Sequence, residues 1–201
     1  MAGAALVMYV LFALFAFGGR AWLQFRRTGD HGFRGLSGSL LSAAGAGGFL
    51  LLAGGLAALL APLAEPLGRG QIAAAPLPPS ARAAGLALMA IGIFFTLVAQ
   101  LQMGAAWRVG VDPGETTDLV TTGLFAWVRN PIYAAMLCML VGLLLAVPNL
   151  LAAAALCVVF VGLELHVRAV EEPHLLRHHR EQFRAYARRV GRFVPGFGRI
   201  P

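Results

Sequence analysis

The chain has 201 residues, 59% of them hydrophobic and only 12% charged, with a mean hydropathy of +0.75. That composition excludes an ordinary water-soluble domain and describes an integral membrane protein. The net charge of +7 rests on 16 basic residues, all Arg, most of which flank apolar spans; there they set orientation and meet anionic head groups, so the charge points to membrane lipids and away from nucleic acid.

Uncharged runs cover residues 1–19, 35–64, 83–107 and 130–163. Each of the first three is long enough for one helix across a hydrocarbon core of ~30 Å. No basic residue precedes Arg20, so residues 1–23 read as a retained span and not as a secretory signal. The Gly and Ala of spans 1 and 2, as in "GAGGFLLLAGG", read as close-packing surfaces between helices. The fourth run is too long for one span. Pro148-Asn149 breaks it into a tight helical hairpin, about 131–147 and 150–168. The first arm reaches only about 25 Å at ~1.5 Å per residue, so it is a short span or does not fully cross. Cys138 and Cys157 lie inside these apolar runs and signal neither a disulfide framework nor a metal site.

Arg20, Arg26, Arg27 and Arg34 follow span 1, Arg108 and Arg129 separate spans 3 and 4, and eight more Arg occur from Arg168 onward. All of these fall on one side of the membrane, against Arg69 and Arg82 on the other. The positive-inside rule therefore places the C-terminus in the cytoplasm and the N-terminus outside. The wealth of Ala, Gly and Arg fits GC-rich coding, which makes a bacterial inner membrane the expected location. After span 5, Leu175, Leu176, His179, Phe183, Tyr186 and Val190 recur at helical spacing among Arg residues, the pattern of an amphipathic helix ended by Pro195. The expected fold is all-α: five transmembrane helices, the last two a hairpin, then a C-terminal cytoplasmic amphipathic helix. It forms a single membrane domain, with spans 1 and 2 in residues 1–80, spans 3–5 in 82–170 and the amphipathic cap in 171–201.

Ionisable residues cluster where these spans meet the cytoplasmic face. Span 5 ends in Glu164, His166, Arg168, Glu171 and Glu172, and such residues near a membrane interior point to function unless they pair. Glu164 and Arg168 stand four apart and would form an ordinary ion pair on one helix face. Glu171-Glu172 is different: adjacent carboxylates repel, and one that faces inward wants a cation or hydroxyl groups. Pro131 suits the first turn of span 4, leaving Arg129, Asn130 and Tyr133 as either interfacial anchors or one wall of a site. Gln102, Trp107 and Arg108 close span 3 at the same depth. His174 and His178 lie one turn apart without a metal-binding motif, and no metal site is expected. Serine hydrolase, P-loop and dinucleotide fingerprints are absent.

The stretches "LVTTGLFAWVRNPIYAA" and "EEPHLLRHHREQFRAYARRVGRFVP" resemble the two-part motif of membrane methyltransferases of the isoprenylcysteine carboxyl methyltransferase and phospholipid N-methyltransferase type, over about residues 102–195. The resemblance implies an S-adenosylmethionine site without a Rossmann fold, capped by the C-terminal helix. It would place Arg129, Asn130 and Tyr133, with Gln102, at the cofactor, and Glu171 and Glu172 at its ribose or amino group. Three positions depart from the family pattern: Asn130 stands for the usual His, Ala135 for a Gly, and His179-Arg180 for a Phe-Gly pair. Asn cannot titrate, so no general base is expected at 130. Arg168 or Arg108 would orient the acceptor, a lipophilic molecule entering from the bilayer, such as a prenylcysteine-type carboxylate or another small lipid. Two other readings compete: a sterol-type reductase using NADPH, which shares the Arg-x-Pro-x-Tyr opening, and a non-catalytic membrane scaffold.

Overall fold

A computed structural model describes residues 1–35, 39, 41–67, 77–112, 114 and 117–200. Arg69, assigned above to the non-cytoplasmic connection, lies outside the described residues. Among them the chain is all-helical, with two isolated β-bridges, Phe33 to Val109 and Val128 to Gly191, as the extended pairings.

The N-terminal span is one continuous rod: α1 (Ala2–Ala13), a π-helical turn (Leu14–Gly19) and α2 (Arg20–Thr28). It runs beyond the expected end at residue 23 because Arg20 does not reach water. The Arg20 side chain is 3% exposed, lies 4.8 Å above the Trp107 ring and donates to the carbonyls of Gln100 and Gly104. α2 stops at Gly29, whose φ of 75° is the left-handed conformation glycine adopts freely.

α3 (Ala43–Ala64) is capped by the Ser42 hydroxyl, which accepts from the Gly45 amide at 3.1 Å, and α4 (Pro79–Gln102) opens on proline. α4 ends at Gln102, five residues before the expected Trp107. Gly104, at φ 56°, turns the chain there, and Trp107 leaves the helix to become buried beside Phe33. α5 (Pro131–Ala146) and α6 (Leu150–His166) are the two arms of the hairpin. At their junction Asn149 caps α6 through its side-chain oxygen, 2.9 Å from the Ala152 amide, and donates to the Ala61 carbonyl at 2.7 Å.

Among the described residues, four helices are long and apolar enough to cross a bilayer: Ala2–Thr28, Ala43–Leu67, Pro79–Gln102 and Leu150–Arg189. α5 is apolar but has 16 residues, about 24 Å at ~1.5 Å per residue. The two arms of the hairpin do not pack mainly on each other. α5 lies against α4 and α6 against α3, because glycines on those faces bring backbones together. A Cβ on Gly92 would stand 2.5 Å from the Met139 amide nitrogen, and one on Gly142 2.5 Å from that of Met89. In the same way Gly54 admits Val159 and Gly162 meets the Gly47 carbonyl. In lipid, where apolar burial does not drive helices together, close backbone contact of this kind supplies the van der Waals attraction.

α6 passes through a second π-helical turn (Val167–Glu171) into α7 (Glu172–Arg189). α7 is bent at Arg180, whose φ of 41° and ψ of −114° lie outside the helical region. The bend lets both halves of the helix face the same cavity, with His174 and Leu175 before it and Phe183 and Tyr186 after it. Arg180 is the position where the resemblance carries glycine, and a side chain in such a conformation stores about 1–3 kcal/mol of strain. Arg180→Gly is therefore expected to stabilise the protein by about 1 kcal/mol after the entropic cost of glycine. Thermal melting in detergent measures this; a lowered melting temperature would show that the Arg180 side chain contributes more than its backbone costs.

Candidate functional site

A cavity of about 1010 Å³, counting the space at its mouth, opens where the end of α4, the start of α5, the α6–α7 junction and α7 meet. The opposite end of the bundle holds the Arg82–Glu65 ion pair, with Arg82 also 2.9 Å from the Ala146 carbonyl.

The back wall is built from the Arg129-Asn130-Pro131 segment and the tail that follows α7. The Arg129 amide donates to the Gly191 carbonyl at 2.8 Å, and the Asn130 amide to that of Arg192 at 3.0 Å. The Arg129 side chain, 6% exposed, donates to the carbonyls of Ala187, Val190 and Gly198 and to Glu172 Oε1 at 2.8 Å. Arg192 approaches the same carboxylate in a two-pronged pair, Nε to Oε1 at 2.9 Å and Nη2 to Oε2 at 3.0 Å, and reaches Glu164 at 3.3 Å. Burial alone would lower the Arg192 pKa, but Glu172 and Glu164 together raise it above its ordinary value. Tyr186 closes the wall by donating to the Phe125 carbonyl at 2.6 Å, and burial pushes its phenol up to about 12.

The adjacent glutamates thus have different surroundings. Glu172 is 9% exposed and gripped by two guanidinium groups. Glu171 accepts from the Tyr133 hydroxyl and has His166 Nε2 at 3.4 Å. Its neighbours are a phenol and an imidazole, with no guanidinium group among them.

Of the residues singled out in the sequence, Arg108, Arg129, Asn130, Tyr133, Glu171 and Glu172 all line this cavity. Gln102 and Arg168 do not line it. The Gln102 side-chain oxygen accepts the Leu124 amide at 2.9 Å, packed beneath Gly123. Arg168 is paired with Glu164 one turn back, its side chain 62% exposed, the ordinary helix-face ion pair. His174 and His178 rings lie 4.2 Å apart, and among the described residues no metal-binding group of three ligands forms.

Sequence reasoning missed Arg192, Asp112 and Asp118. Arg192 stands twenty residues from its partner Glu172, and no local spacing links the two. Asp112 and Asp118 sit in the polar "VDPGETTD" loop, whose acidic content beside an Arg-rich face was the available signal. Among the described residues the cavity is lined by four carboxylates, Asp112, Asp118, Glu171 and Glu172, against the guanidinium groups of Arg108 and Arg129. A ligand carrying both a cation and a carboxylate matches such a lining.

The sequence profile of the phospholipid methyltransferase family matches residues 80–182, just over half of the chain. The chain belongs to that family. No curated protein matches it. The matched region runs from α4 into α7 and so contains most of the segments that line the cavity of this membrane methyltransferase, while Phe183 and Tyr186 of α7 lie just beyond it. The tail residues 191–200 that complete the back wall lie beyond it.

Removing one partner of a buried ion pair leaves uncompensated charge, whereas losing one contact of a partly exposed group costs far less. Glu172→Gln is accordingly expected to destabilise the methyltransferase by about 3 kcal/mol, and Glu171→Gln by about 1 kcal/mol or less. Melting of the two detergent-purified variants decides this; the reverse order would overturn the division of labour between the two carboxylates.

Proposed function

We propose that this membrane methyltransferase uses S-adenosylmethionine and transfers its methyl group to a lipophilic acceptor that enters from the bilayer at the cytoplasmic face. The observation that carries this reading is a single cavity that gathers Arg129, Asn130 and Tyr133 with Glu171 and Glu172, residues 38 and 43 positions apart in the closest pairs. The lining fits the cofactor's chemistry. Its excess of carboxylates suits a sulfonium and an amino group, Arg129 suits a carboxylate, and the apolar walls at Val120, Ile132 and Phe183 suit the adenine ring.

When bound, S-adenosylmethionine supplies a methyl group whose displacement is in line and disperses charge. The chain's own part is alignment and exclusion of water. Tyr133 holds the Glu171 carboxylate in place at the cavity wall. Asn130 is fixed by its side-chain amide, 3.3 Å from the Arg192 carbonyl, and has no proton to exchange, so it positions and does not act as a base. Arg108 is the cation placed to orient an acidic acceptor, such as a prenylcysteine-type carboxylate or the phosphate of another small lipid. Arg168 acts only through Glu164.

In the same reading α5 is a fifth, short span, made possible by local thinning of the bilayer. α7 lies along the cytoplasmic surface with Phe183, Tyr186 and Ala187 turned into the protein and its Arg residues toward anionic lipid. The charge asymmetry places the N-terminus outside, in a bacterial inner membrane. All parts then form one membrane domain. No observation favours the NADPH reductase or the scaffold.

Calorimetry on the detergent-purified protein tests the proposal. S-adenosylmethionine and S-adenosylhomocysteine are expected to bind at micromolar concentrations, with Glu171→Gln weakening S-adenosylmethionine by about tenfold, a loss of ~1.4 kcal/mol. Binding of NADPH with none of either nucleoside would replace the methyltransfer reading with reduction.

A further inference from the structure

Arg192 lies in the tail outside the matched region, yet it shares a carboxylate with Arg129. Both guanidinium groups converge on Glu172, Arg129 through one oxygen and Arg192 through both. Glu164, the third contact of Arg192, is also neutralised by Arg168. Counting Arg129, Arg192 and Arg168 against Glu172 and Glu164, the cluster keeps one positive charge. Without Arg192 that charge disappears, because Glu172 then cancels Arg129 alone.

We propose that Arg192 is a positioning residue for anion recognition: by sharing Glu172 it leaves the positive charge of Arg129 uncancelled for the carboxylate of the ligand's amino-acid end. The inference rests on the S-adenosylmethionine reading above and extends it to a residue from the tail. The remaining charged groups of the cavity, Arg108, Asp112, Asp118 and Glu171, are untouched by changes at 192, which allows the effect to be isolated.

The test compares binding of S-adenosylhomocysteine with that of its decarboxylated analogue, which lacks only the carboxylate, to the full chain in detergent. The wild type is expected to prefer the carboxylate-bearing ligand by about tenfold. Arg192→Met abolishes that preference, and Arg192→Met with Glu172→Gln restores it by returning the cluster to one positive charge. A merely structural role for Arg192 would weaken both ligands alike and would not be rescued by the second substitution. Should Arg192→Met fail to fold, Arg192→Lys, which keeps the charge, retains the preference, and its loss there overturns the proposal. An unchanged preference in Arg192→Met, or equal binding of both ligands by the wild type, overturns the role of Arg192 and leaves the methyltransfer reading standing. Binding of neither ligand by the wild type overturns that reading and this proposal with it.

Discussion

The constraint on which the site depends is the burial of Arg129. A guanidinium group cannot leave water without acceptors for its donors and a counter-charge, and here both are drawn from the far end of the chain. Glu172 supplies the charge, and the carbonyls of Ala187, Val190 and Gly198 supply the acceptors. Because those acceptors are backbone atoms of the end of α7 and the tail, the tail must return to the start of α5 before Arg129 can be buried at all. The two-pronged pairing of Arg192 with Glu172 then balances the carboxylate and fixes its orientation. One buried cation thus ties the end of α7 and the tail to the start of α5.

The helices beneath the site hold it in place through close backbone contact. Gly92 and Gly142 bring α5 onto α4, which sets the start of α5, and with it Arg129 and Tyr133, beside the end of α4. Gly54 and Gly162 bring α6 onto α3 and so fix the depth of the α6–α7 junction that carries Glu171 and Glu172. The π-helical turn at that junction inserts extra backbone where two adjacent carboxylates must turn toward different partners, a frequent use of such turns. The bend at Arg180 serves the same end. A straight α7 could not present both His174 and Phe183 to one cavity, and the strained backbone of a non-glycine residue is retained for that geometry.

In the function proposed above for this member of the phospholipid methyltransferase family, a site of this construction asks little of proton transfer and much of placement. Asn130, which carries no titratable proton, is tied to the tail carbonyl of Arg192. Tyr133 and Glu171 hold each other, and the remaining wall mixes apolar side chains such as Val120, Ile132 and Phe183 with charged ones. Alignment is the contribution such a lining can make.

The sequence by itself determined the membrane class, the positions of the apolar helices, the hairpin break at Pro148-Asn149 and six of the residues that line the cavity. These are legible because hydropathy, proline and a short motif act over one or two helical turns. It also contained the Glu164–Arg168 pair, which follows from spacing alone. Only the tertiary structure decided that α5 packs on α4 and α6 on α3, that Gln102 caps a turn while Arg168 stays at the surface, and that Glu171 and Glu172 have separate partners. Arg192, Asp112 and Asp118 belong to the same class: their roles arise from contacts between segments distant along the chain, and no periodicity records those. The physical reason is that burial of a charge is settled by whichever groups the fold brings within hydrogen-bond reach, and in this chain those groups come from its other end.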